Sequence, residues 1–547
     1  METISSKRSC KDHDRHDPNF CVPPVQVKID ERGLGPLLYE RLKQHSDKVL
    51  QINAETGQQE TSKEFLSRVI RCAQQMKAQG VVSGDIISFC TWNNMDCYVP
   101  LIAALMINAI IAPLDPTLAL QDTVYLLKLI KPKLIFCDDD GTQLIERALL
   151  QEADLQTKIV VFGETDKHQS FSQFQLSTDD ENDFIPTPAK NVRDTALLSF
   201  SSGTTGLPKG VCISHYSCLY QLSLASFPFM YYAVTRMYWF SSTAVCVHSI
   251  FVGGGWIVVK NFDMEAVYKI IADHKVTNLI CPPLFAYKLL QNAEHCVHDT
   301  SSLLILTVAG GNVGETQVLA LQKLFPKTIM MNAYGSTESA GNIILFNIMD
   351  PVQRQQMNKK VLSMGRITAG SCVKVVDVET GIKITTPNTP GELRVKAVFL
   401  TDGYYNDEKQ TAASFDSEGY FCTGDVVYFD EDNCFFFKDR IKDLMKYQGW
   451  TLAPVEIESV LLTHPDIAEA CVIALPHEED GSHPLGIVVL RKGSELNEEE
   501  IIKFVEERVT DPKRLRGGVR IIESIPKTPS YKLRRRDLRN MVLEGVL

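Results

Sequence analysis

Short apolar runs alternate with longer mixed stretches through most of the 547-residue chain. VVSGDIISFC is followed by VPLIAALMINAIIAPL, PKLIFC and KIVVFG, and the pattern returns at VTNLICPP and LLILTVAGG. Strand-like runs separated by helical stretches predict α/β layers with largely parallel sheets. Past Asp350 the segments shorten to VKVVDVETG, GELRVK and VVYFDEDNCFFFKDR, which read as antiparallel strands with hairpins at Glu379-Thr380-Gly381 and Glu431-Asp432-Asn433. From about Leu444 the pattern is a small α+β unit. It has helices at 454–463 and 497–508, strands at AEACVIAL and LGIVVL, and a strand near VRIIESI. The longest apolar stretch, 99–114, carries Pro100, Asn108 and Pro113. It is shorter than the roughly 18–20 residues a membrane helix needs, and reads as buried core.

The predicted fold class is therefore α/β: a large N-terminal body of layered sheets with a β-rich subdomain, then a small mobile α+β C-terminal domain. The expected boundaries are a loose segment at 1–25, a body at 26–438, a hinge at 439–442 and a C-terminal lid at 443–547. The hinge is charged and lacks a Gly/Ser linker, so it reads as a short pivot. No internal repeat shows at periods of about 20–50 residues.

Composition narrows the function classes. With 44% hydrophobic and 22% charged residues, the chain is not disordered, collagen-like or coiled-coil. Its net charge of −11 makes it a poor general binder of polyanions, which argues against nucleic acid as the main partner. The 15 cysteines form no CxxC pair and mostly sit in apolar runs, as at Cys72, Cys90, Cys137 and Cys471. That suits reduced, buried thiols in an intracellular protein. The first twenty residues hold no apolar run, and the chain ends Gly545-Val546-Leu547 rather than in an SKL-type address. The expected compartment is the cytoplasm or the peroxisome, with no transmembrane segment.

The segment Ser201-Ser202-Gly203-Thr204-Thr205-Gly206-Leu207-Pro208-Lys209-Gly210 lies between two apolar runs. Its glycines let backbone N–H groups approach an anion, its hydroxyls donate to phosphate oxygens, and its lysine adds charge. It is not a Walker A loop, because Pro208 stands where GxxxxGK[ST] needs glycine. The string resembles the signature of the adenylate-forming superfamily of acyl-CoA synthetases, 4-coumarate–CoA ligases and beetle luciferases. Four more segments are similar to that family's motifs: Tyr334-Gly335-Ser336-Thr337-Glu338, Thr423-Gly424-Asp425, the run from Asp439 to Gly449, and Pro526-Lys527-Thr528-Pro529-Ser530-Tyr531-Lys532.

The resemblance implies ATP, Mg²⁺ and coenzyme A as cofactors and co-substrates, with a small carboxylic acid as partner. Ser201, Ser202, Gly203, Thr204, Thr205 and Lys209 would hold the β- and γ-phosphates. Glu338 would hold Mg²⁺ and Thr337 would touch the α-phosphate. Asp425 would accept the ribose hydroxyls with help from Arg440. Tyr334 would stack on adenine, and Gly311 and Asn332 would belong to the nucleotide site. Lys532 would stabilise the charge that grows during adenylation. Lys442 falls at the hinge, while Lys446, Gln448 and Gly449 fall on the loop that would face the site in a second, thiol-dependent step. Four positions depart from the family pattern. Asn312-Val313 stands for Ala-Pro, Tyr531 for glycine, Gln448 for lysine, and Ser241-Ser242 for a histidine pair. His248, one or two turns beyond, is the available substitute, although a lone histidine in an apolar helix is more often structural.

The leading expectation from the resemblance is an AMP-forming ligase that joins a hydrophobic acid, of medium- or long-chain fatty type, to coenzyme A. A luciferase-like monooxygenase shares every motif, and a catalytically weak binding paralogue would keep them with altered details. Two other clusters read as surface. The run LRRRDLR (with Arg534, Arg535, Arg536 and Arg539) predicts a charged exposed helix. His477-Glu478-Glu479-Asp480-Gly481-Ser482-His483 has metal-ligand residue types without the helical HExxH spacing, and reads as a turn between two strands.

Overall fold

Fully apolar runs become central strands. Ile86–Cys90 is buried at every position and pairs in parallel with Ile110–Leu114 and Leu134–Cys137, as expected where both sheet faces are covered. The computed structural model describes residues 20–152, 154–177, 180–201, 208–224, 227–260, 262–311, 313–528 and 532–547. Two seven-stranded, mostly parallel sheets form the large body. The first runs in the order Lys209–Ser214, Thr195–Ser201, Ile110–Leu114, Ile86–Cys90, Leu134–Cys137, Lys158–Val161 and Gln169–Ser170. The second runs Ile329–Asn332, Ile305–Val308, Asn278–Cys281, Met230–Ala233, Gly255–Val258, Val49–Asn53 and Gln59–Thr61.

Helices Leu34–Gln44, Ser62–Ala78, Tyr98–Met106 and Phe240–Val252 contribute to one continuous apolar cluster with these sheets. Ser62–Ala78 begins with a reciprocal cap between Thr61 and Glu64. The 99–114 stretch divides into most of the all-buried helix Tyr98–Met106 and the strand Ile110–Leu114. Among the described residues no helix is long and apolar enough to cross a membrane.

The antiparallel region is a five-stranded sheet: Phe20–Val22, Ser371–Val376, Gly391–Ala397, Phe421–Phe429 and Phe435–Arg440. Asp377 Oδ1 caps the turn at Thr380, and Phe429 pairs with Phe435 across the 430–434 turn, so both expected hairpins are present. The last strand of this sheet ends at Arg440. After the short helical turn Ile441–Asp443, a separate sheet begins at Met445. It joins Trp450–Leu452, Met445–Tyr447, Gly481–Leu490 and Ile467–His477, with Val519–Ile521 parallel to Gly481–Leu490. Helices Pro454–Leu461, Glu498–Glu506 and Arg535–Leu543 complete this unit.

Three expectations are corrected. Residues 1–25 read as loose, yet Phe20–Val22 is an edge strand paired with Ser371–Val376, and Phe20 packs its ring on Phe429 and Phe435. The cysteine pattern read as reduced, buried thiols, yet Cys21 and Cys372 face each other across that pair and form a disulfide. The signal was hidden because the two cysteines are separated by 351 positions in sequence. The basic helix is not wholly exposed either. Arg535 turns inward to pair with buried Glu458, whose Oε1 also accepts the Val472 N–H at 2.7 Å.

Candidate active site

The glycine-rich segment closes a hairpin. Ser201 and Lys209 stand directly opposite each other on antiparallel strands, which brings Lys209 to the base of the loop. Ser202, Gly203, Thr204 and Thr205 lie outside the described residues. A second segment is pinned beside this hairpin: Cys212 N donates to Gly403 O at 3.0 Å and Tyr405 N to Gly210 O at 2.7 Å. Tyr404 is thereby placed with the Lys209 ammonium 5.2 Å from its ring centroid. Its hydroxyl donates to Glu338 Oε1 at 3.1 Å. Glu338 is 9% exposed and sits with Thr337 in the turn Thr337–Ser339. Gly335 explains why that turn can form, because a Cβ there would lie 2.0 Å from the Gly341 carbonyl oxygen.

A second cluster is set by strand register. Asp425 and Arg440 are direct partners across the antiparallel sheet. Arg440 Nε lies 3.2 Å from Asp425 Oδ1, and the buried Tyr334 hydroxyl donates to Asp425 Oδ2 at 2.7 Å. Gly424, at φ +68, makes the bend before Asp425. Thr423 Oγ1 ties that bend down by donating to Leu393 O and accepting from Asp425 N.

Lys532 joins the two clusters. Its backbone is held by Thr528, which accepts from Lys532 N and donates to Lys532 O. Burial lowers its pKa from the usual 10.5 to about 8. The nearby Arg440 guanidinium adds to the fall, while Asp425 and Glu338 oppose it. Lys442 is also held below its ordinary range, by desolvation and then by Arg440. Lys209 is lowered by desolvation, against Asp407 and Glu338. Lys209, Arg440, Lys442 and Lys532 gather here with Glu338, Asp425, Asp407 and Asp443, and four cationic groups in one place suit a polyphosphate.

Several residues from the motif reading fall elsewhere. Lys446 is exposed and pairs with Glu379 at 3.0 Å. Gln448 and Gly449 form the tip of the hairpin between Met445–Tyr447 and Trp450–Leu452, and Gln448 Nε2 donates to Asp480 Oδ1 at 2.7 Å. None of the three joins Lys532 in this arrangement. Asn332 donates to the Val361 carbonyl, a structural bond. Gly311 lies on the exposed turn after Ile305–Val308, where a Cβ would press on Pro283 at 3.0 Å. Ser241 and Ser242 both bond to Thr235. His248 is buried, bonded through Nδ1 to the Tyr231 hydroxyl, with its pKa lowered by burial to about 4. It is a neutral core residue. Tyr404 was not singled out from sequence. Its only local cue is Gly403 before it, which adopts φ +133.

Comparison with known proteins identifies the family. The AMP-binding enzyme family profile matches residues 38–405, and the AMP-binding enzyme C-terminal domain profile matches residues 456–532. Luciferin 4-monooxygenase of Photuris pensylvanica is 31% identical over 89% of this chain and 91% of its own length. 4-Coumarate–CoA ligase of Pinus taeda is 32% identical over 71% of this chain and 73% of its own. The solved structure of a luciferase-like enzyme from the nonluminescent mealworm Zophobas morio superposes with a TM-score of 0.72 at 31% identity, covering 77% of this chain and all but 1% of that one (99%).

The placement of Lys532 makes a direct prediction. Asp425 is one of the two carboxylates holding the ammonium charged, so Asp425→Ala shifts the Lys532 pKa further below about 8. The pH dependence of reductive methylation at Lys532, followed by peptide mass spectrometry, reads the shift. An unchanged titration would show that Lys532 does not sit at this cluster.

Proposed function

The chain belongs to the AMP-binding enzyme family, and from that premise we propose that it is an AMP-forming acid–thiol ligase. It activates a hydrophobic carboxylic acid with ATP and passes the acyl group to coenzyme A. The observation that carries the reading is Lys532, a desolvated lysine delivered by the C-terminal unit to the Asp425, Arg440 and Glu338 cluster.

In the first step a carboxylate oxygen attacks the α-phosphorus of ATP, the bond to the β-phosphate oxygen breaks, and pyrophosphate leaves. The protein's work is positioning and charge neutralisation. Lys209 and the loop from Ser201 face the β- and γ-phosphates. Thr337 meets the α-phosphate, Asp425 and Arg440 the ribose, and Tyr334 and Gly311 the adenine. Lys532 takes up charge on the α-phosphate and carboxylate oxygens. Glu338 suits Mg²⁺, because it is a hard oxygen donor oriented by Tyr404 through Oε1. That cation would neutralise polyphosphate charge.

In the second step a thiolate attacks the acyl carbonyl, the bond to AMP breaks and AMP leaves. We assign Lys446, Gln448 and Gly449 to this step, reached by rotation about 439–442 with Lys442 at the pivot. The acid is read as hydrophobic because the helix Phe240–Val252 offers no charge: Ser241 and Ser242 are engaged with Thr235, Ser249 with the Gly255 carbonyl, and His248 is neutral. The class of acid we propose is a medium- or long-chain fatty acid.

The test is pyrophosphate release by the full chain across a panel of carboxylic acids, with and without coenzyme A. Release should require an acid, and thioester should form only with coenzyme A. Lys532→Ala should lower acyl-adenylate formation by roughly 100-fold or more. Lys446→Ala should spare that step and slow acyl transfer from preformed acyl-adenylate. Acyl-adenylate without thioester for every acid would overturn the ligase reading, and oxygen consumption in its place would mark a luciferase-like monooxygenase.

A second outcome concerns the nucleotide alone. Asp425→Ala removes a charged acceptor, and such hydrogen bonds are worth about 1.5–3 kcal/mol. ATP affinity by calorimetry should therefore fall roughly ten- to a hundred-fold. Equal affinity in the two proteins would remove Asp425 from the nucleotide site.

A further inference from the structure

The hairpin between Ile467–His477 and Gly481–Leu490 gathers two histidines and an aspartate. His477 pairs with Gly481, and His483 with Leu475. Side chains alternate along a strand, so this register puts His477 and His483 on the same face. Their rings stack with centroids 3.9 Å apart at 20°. Asp480, in the turn, places Oδ2 2.7 Å from His483 Nε2 and 3.5 Å from His477 Nδ1. One ligand atom from each of the three lies within 4.8 Å of the others. The sequence spacing hid this, because the register of a hairpin does what HExxH spacing does on a helix.

The second oxygen of Asp480 is already committed. Gln448 Nε2 donates to Oδ1 at 2.7 Å, and Gln448 N donates to the Asp480 carbonyl at 2.9 Å. Oδ2 is thereby aimed between the imidazoles. Asp480 N donates to His477 Nδ1 at 3.2 Å, so that nitrogen is the unprotonated one, and an ion takes its lone pair in place of that N–H.

We propose that His477, Asp480 and His483 form a site for a divalent transition-metal ion of the zinc type. Zinc bonds to imidazole nitrogen and carboxylate oxygen are about 2.0–2.2 Å, so tetrahedral ligand atoms stand roughly 3.3–3.5 Å apart. The His477–Asp480 separation already matches in distance, and one of the stacked rings turns about χ2 to bring both in-plane lone pairs onto the ion. The His483–Asp480 contact opens by under an ångström once the hydrogen-bonded proton between them moves to Nδ1 of His483. Two imidazoles with one carboxylate select zinc, cobalt, nickel or copper over magnesium or calcium. Water completes the shell. Gln448 is the positioning residue that orients the ligating carboxylate. Ser482 Oγ also donates to Lys446 O at 2.7 Å, so an ion here stiffens the turn that carries Gln448. The proposal does not depend on the reaction assigned above.

The experiment uses the full chain, stripped with chelator under reducing conditions. Zn²⁺ is titrated by calorimetry, and Co²⁺ by its visible absorption. The expected result is one tight ion per chain, with cobalt bands of nitrogen–oxygen type. The His477→Ala/His483→Ala double variant should lose that ion with its thermal melt unchanged. Gln448→Ala, which keeps all three ligands, should weaken binding roughly 10- to 100-fold. Absence of Zn²⁺ binding in the wild-type chain would overturn the site. So would an ion retained by the double variant with thiolate-to-cobalt charge-transfer bands, which would place it on the cysteines.

Discussion

The Asp425–Arg440 ion pair is the constraint on which the rest of the site depends. It is a cross-strand pair, so its geometry comes from sheet register rather than from two mobile side chains finding each other. Tyr334 supplies a third point of attachment from a different small sheet, of Tyr334–Ser336, Gly341–Leu345 and Arg366–Ile367. A carboxylate held this firmly can face an incoming ammonium without rearranging. Lys532 needs that. Desolvation works against its charge, Arg440 repels it, and Asp425 and Glu338 are what keep its pKa near 8 rather than lower. The Asp425–Arg440–Tyr334 cluster is held by contacts that do not involve the lysine, and the lysine is tuned by it.

The same strand faces two ways. Arg440 points to the cluster, while its neighbour Asp439 is 4% exposed, with a pKa raised by burial to about 6. Asp439 Oδ2 accepts from Val455 N at 3.4 Å, at the start of Pro454–Leu461. Beneath that helix lies the Glu458–Arg535 pair, whose loss of one partner would leave a buried charge uncompensated. Alternation along a single strand therefore puts the Asp425 cluster on one face and the C-terminal unit on the other. The chain leaves the large body at this point, so position in the site and attachment of the C-terminal unit are set by adjacent residues.

Layered α/β character was legible because buried parallel strands are short continuous apolar runs with little else to confuse them, as at Ile86–Cys90 and Leu134–Cys137. The motif strings pointed to Asp425, Arg440, Glu338 and Lys532, which the structure gathers. They also pointed to Lys446, Gln448 and Gly449, which it does not. Local sequence gives a residue's membership of a motif, whereas its neighbours here depend on the orientation of a whole unit about a few backbone torsions. Tyr404 and the Cys21–Cys372 bridge were illegible for a related reason. Each gains its meaning from a partner far away in sequence, and nothing in the local pattern names that partner. The loop residues 202–207 carry the strongest sequence signal and lie outside the described residues.

The contacts between the two units are unequal in strength, and that bears on whether the unit can turn. Lys446–Glu379 is an exposed pair, with side chains 57% and 76% accessible, of a kind worth about 0–1 kcal/mol. Gln291 Nε2 to the Ala468 carbonyl, at 3.3 Å, is a single neutral bond at the long end of the range. The Asp439–Val455 bond is longer still. Glu458–Arg535 and Gln448–Asp480 lie wholly within the C-terminal unit and survive any rigid rotation of it. Lys532 itself is poorly solvated and only partly compensated, so withdrawing it to water recovers hydration as it gives up the carboxylates. A unit with a strong interior and a weak boundary gives up little of its own packing if it turns as a body.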